Sequence, residues 1–309
     1  MTAMDAIRCE GAPRALGLDQ GRRCAEQVRA WFAARGQSHR ARWVRPRLTG
    51  GAALGAGVGR EVVRHFPHLV ERMTGIARGA GVSIDALMED LVASSYGDQT
   101  HPMATCTPAV AAIAGGRDRM LGRSLDPKAG WIVRQSLPEV GFTSVEVVAP
   151  WLVGAVAGVN ESGVSAVAAA GPPRGGAPQP IAAPAWLLVQ ECLQRFDSLQ
   201  ASVDWCLTRP SSGAFCLLLG DATGEVAVVE AREGGRQVTY RGHGGAVAGG
   251  EAGAAASLRQ RVDSVAPADV PSLFEGAPQL WLQPGERRLQ WQPGEGVEPS
   301  EWLVARDDG

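Results

Sequence analysis

Apolar residues in the first third of the chain recur at helical spacing. One stripe predicts a helix that ends near Arg35; it comprises Ala25, Val28, Trp31 and Phe32. Gly17 and Gly21 lie one helical turn apart upstream, where the lack of side chains permits a close helix contact. The basic stretch at 40–47 is expected to be a solvated loop.

A second helical pattern covers residues 60–80, and a third follows it. Pro67 lies inside the second pattern and must mark a kink or a boundary, because proline cannot donate the backbone hydrogen bond of a helix interior. Ser83 is a suitable N-cap for the third helix. The region before residue 95 is therefore predicted to be helical.

Downstream, the helical period gives way to short apolar runs broken by Gly and Pro. These runs predict strands at 106–113, 119–124, 142–148, 152–159 and 164–170, and later at 214–219, 226–231, 237–241, 280–282 and 288–291. Two helices, near Pro184 and Ser198, separate the two groups. Turns are predicted at 160–163 and 220–224, and the Gly- and Ala-rich stretch 242–256 is expected to be a loop. The last two strands, at 280–282 and 288–291, are expected at a sheet edge. The order of elements favours an α+β layered fold.

Composition narrows the functional classes. The 309 residues carry a formal net charge of −2, with both signs mixed along the chain, so neither nucleic acid nor a membrane surface is expected as a partner. No apolar run is long enough to span a bilayer. The first residues lack the apolar core of a secretory signal, which favours a cytoplasmic location.

The six cysteines form no C-x-x-C pair, so no metal site is expected. They are best interpreted as reduced thiols, mostly in the core: Cys9, Cys24, Cys106, Cys192, Cys206 and Cys216. Cys106 differs from the others because it opens a small-residue strand and is followed by an acid at Asp126. That pattern favours a nucleophile, although a buried strand cysteine and a turn aspartate are the simpler alternatives.

The motifs around Cys106 extend over nearly the whole chain. They are Gly11-x-Pro13-x-x-x-Gly17-x-x-x-Gly21, Phe66-Pro67, Gly75-Ile76-Ala77-x-Gly79-Ala80, Cys106-Thr107, Gly122-x-x-x-Asp126, Gly158-Val159-Asn160-x-Ser162-Gly163 and Ala214-Phe215. In order and spacing they resemble the acyl-CoA:isopenicillin N acyltransferase-like family, self-processing cysteine members of the N-terminal nucleophile hydrolases. The resemblance implies one domain over 1–309 with an αββα sandwich fold.

The resemblance also implies a mechanism. The Cys106 thiol would attack the Thr105 carbonyl to give an ester-type intermediate, which water would open. The chain would thereby split into 1–105 and 106–309, which stay associated. The new α-amine, with a pKa of roughly 7.7–8.0, would then serve as the base for the thiol. An acyl-enzyme formed from a small amide or acyl thioester would pass its acyl group to water or an amine. Asp126 would orient the α-ammonium or a polar substrate group. No cofactor is implied, although acyl-CoA is a conceivable co-substrate and homo-oligomers are conceivable.

Several positions depart from the family pattern. Thr105 stands where Gly is usual, and a β-branched residue restricts the strained backbone that self-cleavage uses. An Asn-x-Arg-x-Glu segment is replaced by residues 94–98, and the C-terminal part is short. Gly250 occupies the place of an asparagine that supplies the oxyanion hole. Asn160 or a backbone N–H of the glycine loop are the candidate replacements, while Thr107, Arg123 and Gly250 are predicted to line the substrate site.

Three functions remain open from the sequence. The first is the amidohydrolase or acyltransferase described above. The second is a catalytically impaired relative that binds or scaffolds on the same fold, favoured by Thr105 and Gly250. The third keeps the chain unsplit and uses His101 as the base for Cys106, although His101 is more simply a solvated loop residue before Pro102.

Overall fold

Glycines bring two helices of the first hundred residues into close contact. The computed structural model describes residues 6–42, 51–94, 101, 109–113, 119–125, 130–170, 182–212, 215–232, 235–241, 247–250, 256–258, 260, 279–292 and 299–305. Its helices are α1 (Pro13–Arg23), α2 (Ala25–Arg42), α3 (Gly51–His65), α4 (Pro67–Ala80), α5 (Ile84–Ala93), α6 (Leu187–Arg195) and α7 (Leu199–Thr208). At Gly17 an added Cβ would lie 1.8 Å from the Arg72 carbonyl oxygen, so α1 and α4 can touch only where side chains are lacking.

The helix boundaries follow local rules. Pro67 is the first residue of α4 and separates it from α3, which confirms the predicted boundary. The Ser83 hydroxyl accepts a hydrogen bond from the Asp85 N–H at 3.1 Å and caps α5 as predicted. The first predicted helix is instead two, because the chain breaks at Cys24. α2 continues to Arg42, so the start of the expected basic loop is helical.

The strands form two sheets. They are β1 (Ile7–Gly11), β2 (Ala109–Ile113), β3 (Met120–Ser124), β4 (Ile132–Pro138), β5 (Ser144–Val148), β6 (Ala157–Asn160), β7 (Ser165–Ala170), β8 (Phe215–Gly220), β9 (Val226–Arg232), β10 (Gly235–Arg241), β11 (Val247–Gly250), β12 (Gln279–Gln283), β13 (Arg288–Gln292) and β14 (Ser300–Leu303). The larger sheet has the order β1-β4-β5-β6-β7-β8-β9-β10, and the smaller sheet has the order β11-β2-β3-β12-β13-β14. Only the β1–β4 pair is parallel among these described strands.

The two sheets pack face to face, and described helices cover the outer face of the larger sheet. β2, β3 and β11 of the smaller sheet lie against β7 and β8, and β12 and β13 lie against β6. On the other face of the larger sheet, α1 covers β1 and β4, α6 covers β6 and β7, and α7 covers β8 and β9. The predicted α+β class with a helix-flanked sandwich of sheets is confirmed. Within the part of the chain that the structure describes, no helix combines the length and apolarity needed to cross a membrane.

Several strand predictions were wrong in position. β11 lies inside the stretch expected to be a loop, because pairing with β2 makes a strand of Val-Ala-Gly-Gly. β12 and β13 are interior strands, since β14 supplies the edge. Residues 152–156 are not part of β6. The turns at 160–163 and 220–224 are where the sequence predicted them, with Gly163 and Gly224 both at φ 87°.

A fully buried polar network joins the helices to the larger sheet. The Arg134 Nε donates to Glu146 Oε2 at 2.6 Å, and its two terminal nitrogens donate to Gln20 at 2.6 Å and Gln190 at 2.7 Å. Glu146 also accepts from Gln190 at 2.6 Å and from Ser144 at 2.7 Å. Burial alone would raise the pKa of Glu146, but the nearby arginine charges and these hydrogen bonds outweigh it, so the pKa is lowered.

We expect Gly75→Ala to destabilise the protein by about 1–3 kcal/mol, because the new Cβ would lie 2.1 Å from the Arg14 carbonyl oxygen. Gly59→Ala on α3 is the matched control: its Cβ meets nothing within 4 Å, and the better helix propensity should stabilise by up to about 1 kcal/mol. Urea unfolding measures both. Equal effects of the two substitutions would contradict the close helix contact.

We expect Glu146→Gln to cost about 3–5 kcal/mol at neutral pH, because it leaves the buried Arg134 charge uncompensated. The folded-state pKa of Glu146 lies below its unfolded value, so its stabilisation is present above the unfolded pKa and is lost as the pH falls through the folded pKa. The acid limb of the stability curve should therefore be shallower in the variant. Glu161→Gln, on the partly exposed turn after β6, should leave the curve unchanged.

Candidate functional site

Three strand ends meet at one end of the smaller sheet. β2 begins at Ala109, which pairs with Gly250 at the end of β11. β3 is antiparallel to β2 and ends at Ser124, on the same side. We call this the entry end of β2, defined by Ala109, Ser124 and Gly250. In the sequence, Cys106 and Thr107 come shortly before Ala109, and Asp126 comes shortly after Ser124, so we take this end of the sheet as the candidate site.

The predicted nucleophile, Cys106, lies outside the residues that the structure describes. Thr105, Thr107 and Asp126 also lie outside them. Their roles, and the cleavage between Thr105 and Cys106, stay predictions. Gly250 is described through its backbone pairing only, which brings it beside the start of β2.

Arg123 supplies a buried positive charge next to this end. It lies on β3 and is fully buried. Its Nε donates to the Ser124 carbonyl at 3.1 Å, and its Nη1 donates across to the Ala168 carbonyl of the larger sheet. Its Nη2 is buried and has no hydrogen-bond partner among the described residues. An unpaired guanidinium N–H is costly, so this group is suited to an anionic or carbonyl partner.

A bulky neighbour fixes the strand that carries Arg123. An added Cβ at Gly122 would lie 2.1 Å from the ring of Trp281 on β12. The Trp281 ring therefore packs against β3 at a position that only glycine allows. This explains why glycine opens the Gly122-x-x-x-Asp126 motif.

Asn160 has a structural role in the described geometry. Its amide nitrogen donates to the Leu193 carbonyl at 3.0 Å and to the Phe196 carbonyl at 2.8 Å. Its oxygen accepts from the N–H groups of Ser162 at 3.1 Å and Val164 at 2.9 Å. Both amide hydrogens are used, so none is left for an oxyanion.

Asn160 also lies far from the entry end of β2. Arg123 contacts Ala168, whose N–H donates to Val156 at 2.9 Å, just before β6 begins. Asn160 is the last residue of β6, and strand residues advance about 3.3 Å each. Asn160 and Arg123 therefore lie near opposite ends of β6, so the structure does not bring Asn160 to Arg123, the predicted site residue whose side chain it describes.

His101 is not the solvated loop residue that the sequence suggested. It is fully buried, with its Nε2 3.0 Å from Asp90 Oδ2. Trp31 Nε1 donates to the other Asp90 oxygen at 3.0 Å. Asp90 lies between Leu87 and Leu91 on the buried face of α5. A buried carboxylate needs a polar partner, so this acid on an apolar face was the sequence signal for a buried partner such as His101. His101 thereby ties the chain ahead of Cys106 to the helices.

The cysteines that the structure describes are poor nucleophiles because they are buried. Cys9, Cys24, Cys192, Cys206 and Cys216 are buried free thiols. Burial is the largest cause that raises the pKa of Cys24 to about 11, and the neighbouring Cys9 adds to it. Burial also raises the pKa of Cys9. Among the described residues, no three His, Cys, Asp or Glu side chains are grouped so that they could hold a metal ion.

Comparisons with known proteins find likeness only in structure. No family model and no curated protein matches the chain. Penicillin V acylase from Agrobacterium tumefaciens aligns with 62% of this chain and 84% of its own, at 14% identity and a TM-score of 0.43. A mutant form of conjugated bile acid hydrolase from Clostridium perfringens aligns with 63% of this chain and 92% of its own, at 12% identity and a TM-score of 0.45.

An N-acylethanolamine-hydrolyzing acid amidase ortholog from Caenorhabditis elegans aligns with 64% of this chain and 100% of its own, at 9% identity and a TM-score of 0.46. At these identities, and with TM-scores below 0.5, the three likenesses carry no argument about the fold or the activity of this chain.

We expect Asn160→Ala to lower the free energy of unfolding by about 2–3 kcal/mol, since buried groups left unpaired cost about 1–3 kcal/mol each. Ser162→Ala, in the same turn, should change it by less than about 0.5 kcal/mol. Chemical denaturation measures both. An Asn160→Ala protein of unaltered stability would argue against the structural role.

Proposed function

We propose that this chain is a cysteine N-terminal nucleophile amidohydrolase or acyltransferase whose nucleophile is Cys106. The observation that carries the proposal is the convergence of β2, β3 and β11 at the entry end of β2, beside the buried Arg123. That convergence supports a site in which Cys106 and Asp126 meet. We assign Asp126 to orienting the α-ammonium or a polar substrate group.

The proposed chemistry needs no histidine or metal. After cleavage between Thr105 and Cys106, the α-amine of Cys106 takes the proton of its own thiol. The thiolate attacks the carbonyl carbon of a small amide or acyl thioester, and the C–N or C–S bond breaks as the leaving group takes the proton from the α-ammonium. Water or an amine then attacks the thioester, and the Cys106 sulfur leaves as the thiol.

We assign Arg123 to substrate binding. Its unpaired Nη2 offers a donor beside the entry end of β2. Its Nε and Nη1 donate to the carbonyls of Ser124 in the smaller sheet and Ala168 in the larger sheet. A donor held in this way is pre-organised, which favours binding of a polar acyl substrate. We expect Thr107 and Gly250 to line the same substrate site.

Contacts across the proposed cut support fragments that stay together. β1 from the first fragment pairs with β4 from the second along five residues. Gln20 donates to the carbonyls of Pro150 at 3.0 Å and Leu152 at 2.9 Å. The Trp31 and Trp151 rings stack with centroids 3.7 Å apart. These contacts do not depend on the peptide bond between Thr105 and Cys106.

A second candidate function is a catalytically impaired relative that only binds its ligand. Two observations favour it: Gly250 has no side-chain donor, and the amide of Asn160 is already used. Loss of one oxyanion donor costs about 2.7–4 kcal/mol, or roughly 10²–10³ in rate. Under this alternative the entry end of β2 would bind the same amide or thioester without turnover.

Intact mass tests the first proposal. The purified protein should contain two chains, 1–105 and 106–309, that separate only on denaturation. Cys106→Ala should remain one chain and lose turnover of amide and acyl-thioester panels. Cys24→Ala is the matched control and should be cleaved and active, because the raised pKa of Cys24 keeps it a protonated thiol.

Labelling separates the two candidates. In an active enzyme an electrophile at neutral pH should modify Cys106 ahead of the buried cysteines and abolish turnover. An unsplit protein with an unreactive Cys106 that still binds an amide would favour the impaired relative. A Cys106→Ala protein with full activity would contradict both the nucleophile and the cleavage.

A further inference from the structure

A cavity of about 460 Å³ opens on the helix side of the larger sheet. It lies between α1, α4, the end of α6 and the hairpin that joins β4 to β5. Its apolar wall consists of Pro13, Leu16, Leu69, Pro138, Val140 and Phe142. The volume is in the range of small-molecule sites, and the wall suits a hydrocarbon group.

One wall of this cavity is formed by a buried arginine with unpaired nitrogens. Arg72 of α4 lines the cavity and is 1% exposed. Its Nη2 donates to the Ser136 hydroxyl at 2.8 Å. Its Nε and Nη1 are buried and have no hydrogen-bond partner among the described residues. Donors of a charged group left unpaired in this way are strongly unfavourable.

The charge of Arg72 is not balanced within the part of the chain that the structure describes. Glu146 acts on Arg72, but it is already paired with Arg134 at 2.6 Å, so the cluster of two arginines and one glutamate keeps one positive charge. Burial, together with the Arg134 charge, lowers the pKa of Arg72 to about 10, which leaves it protonated at neutral pH. A buried cation beside a cavity attracts an anion into it.

The other charges at the cavity largely cancel or face solvent. His68 Nε2 lies 2.5 Å from Glu191 Oε1, and Arg195 lies 3.2 Å from the other oxygen of the same buried carboxylate. Glu139 is the carboxylate that lines the cavity, and it is exposed, where water and salt screen it. Arg72 is therefore the dominant charge at the inner wall.

We propose that this cavity binds a small organic anion that has one carboxylate and an apolar tail, with the carboxylate toward Arg72 and the tail against the apolar wall. The site is separate from the entry end of β2, because Arg72 reaches the larger sheet from its helix face and Arg123 reaches it from the smaller sheet. The proposal therefore does not rest on the proposed catalytic function.

Thermal unfolding with octanoate, octanol and inorganic phosphate tests the proposal on the full chain. Octanoate at about 100 times its dissociation constant should raise the melting temperature by several degrees, as expected for a ligand that binds only the folded state. Octanol has the same tail without the charge and should raise it far less. No shift with octanoate, or an equal shift with phosphate or octanol, would overturn the proposal.

Variants locate the effect in this cavity. Arg72→Met removes the charge, and the octanoate shift should vanish. Because that variant can also alter folding, Val140→Glu and Val140→Gln form a matched pair on a side chain that is 89% exposed at the rim. The added carboxylate should weaken octanoate binding several-fold relative to the neutral amide. Equal binding by the two would overturn the assignment to this cavity, whatever the state of Cys106.

Discussion

The buried ion pair between Arg134 and Glu146 is the constraint on which the described structure depends. It joins β4 to β5, and further hydrogen bonds link the pair to Gln20 on α1 and Gln190 on α6. In a low-dielectric interior, such a network is stable only when every partner is in place. The two helices are therefore fixed in position against the sheet more strictly than apolar packing alone would require.

The same network extends to the glycine contact between helices. Gln20 and Gly17 both belong to α1. Arg72 contacts this helix and the sheet: its carbonyl approaches Gly17, and its side chain donates to Ser136. Ser136 in turn donates to Glu146 at 3.0 Å. Close backbone packing and the polar core thus reinforce one another, and they bind residues before Cys106 to residues after it.

The larger sheet separates two chemically different regions. On its inner side, Arg123 of the smaller sheet donates to the Ala168 carbonyl at the end of the sheet where we propose the catalytic site. On its outer side, Arg72 leaves one unbalanced positive charge beside a largely apolar cavity. In both places a buried arginine has at least one nitrogen without a hydrogen-bond partner among the described residues, and this shared feature makes each place a candidate for an anionic or polar ligand.

The sequence by itself determined the features that a few neighbouring residues control. Pro67 starts α4, Ser83 caps α5 and the turn at 160–163 joins β6 to β7, because proline, serine, asparagine and glycine act through their own backbone. The α+β class followed from the change of period along the chain.

The tertiary structure alone decided which strands are interior and which charges are buried. β4 escaped prediction because Arg134 and Ser136 face the polar network and break its apolar alternation, and β11 is a strand only because β2 lies beside it. Asn160 and His101 were judged by residue type, yet their roles are set by Leu193, Phe196 and Asp90. Such partners, like Gln20 and Arg134 at a separation of 114 residues, meet only when the chain is folded, so no local pattern can report them.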